Sequence, residues 1–133
     1  MSLKESLSNT LVREVMSKQL ISADPSTTLF QISKLMEQGV GAIIVKKDSI
    51  PAGIITDRDF AIKIASKKLS LDTTVDKVAS YPLKTIKPDE SVLKAAEMMA
   101  SLKIRKIVVV EGQTVVGIIT STDVVNLAAS IKE

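Results

Sequence analysis

Two short segments carry the same polar residue types at the same spacing. Residues 53–59 read Gly-Ile-Ile-Thr-Asp-Arg-Asp, and residues 117–123 read Gly-Ile-Ile-Thr-Ser-Thr-Asp. Each segment ends an apolar run and enters a helical pattern, so the Thr lies where unpaired backbone N–H groups attract phosphate. The two acceptor oxygens of the Asp suit a vicinal diol instead, such as that of a ribose. The segments therefore predict nucleotide sites.

The same residues also have a purely structural interpretation. Thr is favoured in strands, and an Asp in the first turn of a helix stabilises it by up to about 1 kcal/mol. For one segment alone this interpretation is the better one. Because Thr and Asp recur together at matched positions, we expect at least one of the two sites to bind a ligand.

The composition removes most familiar enzyme mechanisms. The chain has no Cys and no His, which excludes thiol nucleophiles, disulfides, the common zinc sites and Ser-His relays. Asp57 and Asp59 resemble a Mg²⁺ pair, yet Ser121 stands at the position matching Asp57. We expect no metal, no catalytic residue and no enzymatic activity.

Both segments belong to a duplication that runs through most of the chain. Pro25 and Pro88 lie 63 positions apart, whereas Gly53 and Gly117 lie 64 apart, so the second copy has gained one residue. The insertion falls at a predicted helix end, where changes of length are tolerated. A period this long predicts two domain-sized copies related by a pseudo-two-fold axis rather than a solenoid.

Each copy reads as βαββα, which is an α+β pattern. In the first copy we predict a strand near 20–23, a helix over 27–38 with Ser26 as N-cap, hairpin strands at 42–45 and 51–56, and a final helix. The matching elements of the second copy are a strand near 83–86, a helix over 90–102 and hairpin strands at 107–110 and 115–120.

Strand, Gly-hydrophobic-x-Thr-x-x-Asp and helix, twice over, resemble the CBS-domain pair known as a Bateman module. The resemblance covers nearly the whole chain from Leu11 onward. It implies a stand-alone tandem protein with a lead-in at 1–10 and CBS repeats at 11–68 and 74–133. Members of this family bind AMP, ADP, ATP or S-adenosylmethionine in two clefts between the repeats, with Thr near phosphate and Asp on ribose. The implied function is regulatory nucleotide sensing, with no catalytic cofactor.

The resemblance assigns residues to both clefts, with adenine held mostly by backbone and apolar contacts. Cleft A would contain Met16, Ser17, Ile21, Ser22, Arg105, Lys106, Ile118, Thr120, Thr122 and Asp123. Cleft B would contain Ile54, Thr56, Arg58, Asp59, Ala79, Ser80, Lys84 and Thr85.

The two clefts differ in basic residues. Arg105 and Lys106 correspond to the neutral stretch 40–42 of the first copy, and family members often hold phosphate from there. We therefore expect cleft A to accept more phosphate charge, while cleft B has only Arg58 in compensation. The alternative is that Arg105 and Lys106 form a solvated strand edge that deters aggregation.

Charge and hydropathy limit which partners and which cell compartment are compatible with this chain. A net charge of +3 suits an anionic partner, which leaves open a protein- or nucleic-acid-binding scaffold with empty clefts. Only three aromatic residues are available for stacking on bases, so nucleic acid is the weaker alternative. There is neither a run of about 18 apolar residues nor a secretory signal. We expect a cytoplasmic homodimer without membrane contact, acting on an unidentified effector protein.

Overall fold

The chain folds into two units that alternate along the sequence. The computed structural model describes residues 2–131. Residues 20–83 form one unit, called here the continuous unit. Residues 2–19 and 84–131 form the other, called the discontinuous unit. The lead-in of the first repeat thus folds with the second repeat.

Regular elements account for both units. In chain order they are α1 (Leu3–Asn9), α2 (Val12–Val15), β1 (Ser22–Ala23), α3 (Leu29–Glu37), β2 (Ala42–Lys47), β3 (Ile50–Thr56), α4 (Asp57–Asp59), a π-helix (Phe60–Ala65), a 3₁₀ turn (Val75–Lys77), β4 (Thr85–Ile86), α5 (Val92–Leu102), β5 (Lys106–Glu111), β6 (Thr114–Thr120) and α6 (Ser121–Ser130).

Each unit contains a three-stranded mixed sheet with the same topology. In the continuous unit β1 pairs in parallel with β2, and β2 pairs antiparallel with β3 so that Ile44 faces Ile54. In the discontinuous unit β4, β5 and β6 repeat this order, with Val108 facing Ile118. A register shift interrupts both hairpins at the matched place. The predicted α+β fold with two βαββα copies is confirmed.

The core of each unit is apolar. Alternate residues of the hairpin strands point inward in both sheets and pack against the helix that follows the first strand. No polar or charged residue is buried within the described part of the chain. The most deeply buried side chains are Leu29, Ile32, Ile43, Val45, Ile55 and Val75 in the continuous unit, and Val12, Val92, Ile107, Val108, Val109 and Ile119 in the discontinuous one.

The first long helix begins two residues later than the sequence pattern indicates. Thr28, not Ser26, is the N-cap of α3, because its hydroxyl accepts from Gln31 N at 3.2 Å while Thr28 N donates to Gln31 Oε1 at 3.0 Å. The reciprocal pair needs a Gln or Glu three residues after the cap. Ser26 has Leu29 at that position, so the prediction of Ser26 was wrong.

The helices that end the two copies differ in form. Helix α6 is α-helical over ten residues. In the first copy α4 lasts three residues and continues as a π-helix, where Ser66 N donates to Ala61 O at 3.2 Å. Such wider turns occur mostly as local features of helices, frequently at functional sites.

Candidate functional site

The Asp123 site lies where β6 ends and α6 begins. One carboxylate oxygen, Oδ2 of Asp123, accepts from Thr120 N at 2.8 Å and from Thr120 Oγ1 at 3.1 Å. In return Asp123 N donates to Thr120 Oγ1 at 3.3 Å. These bonds close a capping box, so the structural interpretation of the motif holds for Oδ2. The other oxygen, Oδ1, has no hydrogen-bond or ionic partner among residues 2–131.

The Asp59 site, between β3 and α4, uses its carboxylate differently. Oδ2 of Asp59 accepts from Thr56 N at 2.8 Å and from Thr56 Oγ1 at 3.2 Å, as in the other copy. Oδ1, however, lies 3.4 Å from the Nζ atom of Lys63. The side chains of Asp59 and Lys63 retain 14% and 36% of their exposure, so the ion pair is partly shielded from solvent. Both carboxylate oxygens of Asp59 are therefore engaged.

Lys63 also binds the segment that precedes β4. Its ammonium group donates to Ser80 Oγ at 2.8 Å and to the carbonyl of Val78 at 3.3 Å. Since an ammonium group has three N–H donors, the ion pair and these two bonds use all of them. Sequence reasoning missed Lys63, although its spacing of four residues from Asp59 is the signal for an ion pair on a helix.

Residues 16–17 and their counterpart 79–81, called here the lead-in segments, come before the first strand of each copy. The segment at 16–17 lies along β6 beside the Asp123 site. Ser17 and Ile118 exchange backbone hydrogen bonds at 2.9 Å in both directions. A Cβ on Gly117 would lie 2.6 Å from Met16 Sδ and 2.9 Å from Ser17 O, closer than side-chain carbons approach such atoms. The Gly of the motif is therefore required for close approach of this segment. The structure brings Met16, Ser17 and Ile118 together as predicted neighbours.

The continuous unit repeats this arrangement at Gly53. Ser80 N donates to Ile54 O at 2.8 Å, and Ile54 N donates to Ser80 O at 3.1 Å. A Cβ on Gly53 would lie 2.6 Å from the ring of Tyr81 and 2.8 Å from Ser80 O. Ala79 is half-buried next to Ser80. Sequence reasoning missed Tyr81, whose partner position in the other copy, Lys18, gives no hint of an aromatic contact.

Tyr81 is held over Gly53 by its own contacts. Its hydroxyl donates to Asp76 O at 3.2 Å. Burial of the ring raises the pKa of Tyr81 above its ordinary value, and the negative charge of Asp76 raises it further. Tyr81 therefore stays neutral through the physiological range and acts as a packing side chain.

Basic residues lie at the same end of the sheet as Thr120. Lys106 is paired opposite Thr120 in the hairpin, and the carbonyl of Arg105 accepts from Ser121 N at 2.9 Å. Arg105 and Thr122 are exposed, the latter in the first turn of α6. These residues form a basic edge around the Asp123 site.

The equivalent edge of the Asp59 site has no basic residue on the strand. Asp57 N donates to the carbonyl of Gly41 at 3.1 Å, where the other copy has Arg105. Arg58, in α4, is exposed to solvent.

Four predicted site residues belong to a different unit from the Asp that they were assigned to. Ile21 and Ser22 lie in the continuous unit, where Ile21 O accepts from Ile44 N at 2.9 Å. Lys84 and Thr85 lie in the discontinuous unit, paired with β5. The remaining predicted residues of each cleft lie within a single unit.

Two other features of the described residues bear on the site. No group of three His, Cys, Asp or Glu side chains in residues 2–131 could hold a metal ion. Over the same residues, no helix has both the length and the apolar character needed to span a bilayer.

The chain belongs to the CBS domain family, whose family pattern matches residues 12–66 and 72–130. The predicted resemblance to a tandem CBS pair is thereby confirmed. Among curated relatives, protein MK0525 of Methanopyrus kandleri is 32% identical over 131 residues, covering 92% of this chain and 66% of that protein. The CBS domain-containing protein YhcV of Bacillus subtilis is 32% identical, covering 84% of this chain and 81% of YhcV. The chain thus spans just under two thirds of the Methanopyrus protein.

Solved structures share the fold over almost their full length. A conserved protein from Pyrococcus horikoshii superimposes with a TM-score of 0.85 at 26% identity, covering 100% of this chain and 98% of that one. The CBS domain pair of protein MJ0100, solved in complex with 5′-methylthioadenosine and S-adenosyl-L-methionine, gives a TM-score of 0.81 at 28% identity, covering 92% and 98% of the two chains.

Proposed function

We propose that this CBS pair is a regulatory module without enzymatic activity and that it binds an adenosine-type ligand at the Asp123 site. The observation that carries the proposal is that Oδ1 of Asp123 has no partner among residues 2–131, while the cap holds Oδ2 in place. A carboxylate oxygen that is positioned but unpaired is a ready acceptor for a ribose hydroxyl. The complex of MJ0100 with two adenosine derivatives supports the same ligand class.

The surroundings of Asp123 suit the rest of a nucleotide. Ser121 N and Asp123 N at the start of α6 already donate to Arg105 O and Thr120 Oγ1, so the helix favours a phosphate there mainly through the positive end of its dipole. Arg105 and Lys106 add positive charge at that edge of the sheet. The half-buried Met16 offers an apolar surface for the base along the lead-in segment. We propose AMP, ADP, ATP or S-adenosylmethionine as ligands, the anionic nucleotides being favoured by the basic edge.

Regulation would follow from the two segments that the bound ligand contacts. A nucleotide that contacts both the lead-in segment and α6 stabilises the discontinuous unit by an amount that grows with the logarithm of its concentration over its dissociation constant. An effector protein with greater affinity for the stabilised form would then respond to ligand concentration. The effector and a cytoplasmic location are parts of this proposal.

Calorimetric titration of the full chain with AMP, ADP, ATP and S-adenosylmethionine tests the proposal. We expect one of them to bind with a dissociation constant below millimolar. The Asp123→Asn variant should weaken binding about tenfold or more, because the amide keeps an acceptor for Thr120 N but replaces the free acceptor with a donor. Asp59→Asn is the matched control and should leave this affinity unchanged. Absence of binding, or equal affinities for wild type and Asp123→Asn, would overturn the assignment.

A scaffold function would give a different result in the same preparation. If the basic edge at Arg105 and Lys106 binds a nucleic acid, the chain should be retained on heparin at low salt and released as salt rises. Nucleotides would then leave the melting temperature unchanged. We expect the opposite, namely a rise in melting temperature with nucleotide.

We also propose that the chain self-associates. The continuous unit exposes large apolar side chains on its helical elements, namely Phe30 and Ile62, each about half accessible. A symmetric interface between two copies of the chain would remove both side chains from water. Light scattering coupled to size-exclusion chromatography should report twice the mass of the 14.3 kDa chain. A monomer at high protein concentration would refute the homodimer.

A further inference from the structure

The carboxylate of Asp59 differs from the carboxylate of Asp123 in one respect, which is that a side chain of the protein already occupies its Oδ1 oxygen. Oδ1 of Asp59 pairs with Lys63 Nζ at 3.4 Å, whereas the same oxygen of Asp123 has no partner among the described residues. The cap formed by Oδ2 is common to both sites. The difference is therefore confined to the oxygen that a ribose would need.

Matched positions explain why only one site is occupied in this way. Leu127 stands in α6 where Lys63 stands in the first copy, and its apolar side chain packs on the core and cannot donate. Ser17 matches Ser80, but its hydroxyl accepts from Gln19 N at 3.3 Å rather than from a lysine. One residue type, Lys against Leu, thus separates the two sites.

The bonds made by Lys63 give it a fixed position. Besides Asp59, the ammonium group binds Ser80 Oγ at 2.8 Å and Val78 O at 3.3 Å. These three acceptors take up all three of its N–H donors. Lys63 also lies within the π-helix, which is the other feature that the first copy has and the second lacks. A lysine that is merely solvated would not bring together three acceptors from two separate segments.

Building on the proposed function, we infer that Lys63 is a specificity-determining residue that closes the Asp59 site to a ribose diol. A nucleoside would have to displace the ammonium group from Asp59 before its hydroxyls could bind. Because Lys63 is 36% exposed, solvent screens the ion pair and the displacement is feasible, so the closure reduces affinity rather than abolishing binding. The chain therefore binds one adenosine-type ligand tightly, at the Asp123 site, and binds a second only weakly.

Titration calorimetry of the full-length Lys63→Leu variant with AMP tests the inference, since this change installs the residue found at the matched position 127. Wild type should bind one equivalent of AMP. Lys63→Leu should bind two, with affinity for the second raised about tenfold or more. Adding Asp59→Asn to Lys63→Leu should remove the gained equivalent. Lys63→Met, which keeps an unbranched side chain of nearly the lysine length without the ammonium group, serves as a second variant if Lys63→Leu fails to fold.

The possible results separate the inference from the proposed function. If wild type and both Lys63 variants each bind one equivalent with equal affinity, Lys63 does not close the site and the inference is overturned while the proposed function stands. Two equal sites in wild type would overturn it as well. If wild type binds nothing but Lys63→Leu binds one Asp59-dependent equivalent, the proposed function fails and the inference holds. If no variant binds, both fail.

Discussion

The Asp123 and Asp59 sites share the two bonds from the preceding Thr to one carboxylate oxygen but differ in the partner of the other oxygen. In each, one carboxylate oxygen accepts from the N–H and the hydroxyl of the preceding Thr, at nearly the same distances. The second oxygen is unpartnered among the described residues at Asp123 and bound to Lys63 at Asp59. Duplication has preserved the part of the motif that folds the chain, whereas the part available for binding has diverged.

This division has a physical reason. The capping box and the close approach at Gly53 and Gly117 are needed for each unit to fold, since they satisfy helix-end donors and bring a lead-in segment onto the sheet. Oδ1 of either Asp takes part in neither of these folding contacts. A substitution one helical turn away can therefore change its partner at little cost to stability.

The largest difference in stability between the two units is expected when the motif glycines are substituted. Gly53→Val should destabilise the protein by about 3 kcal/mol and Gly117→Val by about 2 kcal/mol, because overpacking is costly and the added carbons meet different neighbours. A backbone carbonyl is close in both cases, Ser80 O at 2.8 Å and Ser17 O at 2.9 Å, so the difference comes from the rigid ring of Tyr81 at Gly53 against the flexible end of Met16 at Gly117. Urea unfolding of both variants measures the difference. Equal losses would show that side-chain flexibility does not set the cost.

A smaller difference is expected from removing each carboxylate. Asp123→Ala should cost about 1 kcal/mol through loss of the cap, and Asp59→Ala a few tenths more, because Lys63 also loses its ionic partner near the surface. Thermal unfolding at low and high salt checks this. The additional stability lost by Asp59→Ala, relative to Asp123→Ala, should shrink as salt rises. If that additional loss does not depend on salt, the ion pair with Lys63 is not its source.

The smallest expected effect on stability comes from ionisation of Tyr81, a residue that has no counterpart in the discontinuous unit. Burial, aided by the charge of Asp76, raises its pKa above 10.0 in the folded protein. The folded state then holds this proton at pH values where the unfolded chain has released it, so the stabilisation is present below pH 10.0 and is lost as pH rises through the folded pKa. Because the chain has a single Tyr and no Trp, ultraviolet absorbance of tyrosinate follows this group alone.

The expected titration midpoint for folded Tyr81 therefore lies above 10.0 and returns to that value in denaturant. Tyr81→Phe should also show a weaker fall in stability above pH 10.0 than wild type. Identical midpoints for folded and unfolded protein would show that the ring is not desolvated.

Periodicity and repetition sufficed to predict the architecture of each copy. The recurrence of Thr and Asp at an offset of 64 located both strand-to-helix junctions, and the apolar runs located all four hairpin strands within two residues. These features are local, since they depend on side chains within one or two turns of each other. The start of α3 was missed because the reciprocal pair of Thr28 and Gln31 outweighs Ser26 as a cap.

The features that distinguish the two sites were harder to predict because they depend on contacts between distant segments. Lys63 and Asp59 have ion-pair spacing, but nothing local indicates that Ser80 and Val78 complete the coordination of the ammonium group. The closeness of Tyr81 to Gly53 arises only once the lead-in segment lies on β3. Nothing in the periodicity of residues 60–65 indicates a π-helix.

A thermodynamic cycle at Asp123 tests whether its Oδ1 accepts a ribose hydroxyl. Dissociation constants for AMP and for 2′-deoxyadenosine monophosphate are measured on wild type and on Asp123→Asn. If Oδ1 of Asp123 accepts a ribose hydroxyl, removing that hydroxyl weakens binding to wild type about tenfold and has almost no further effect on the variant. Equal ratios of the two constants in both proteins would contradict the account, because the hydroxyl and the carboxylate would then act independently.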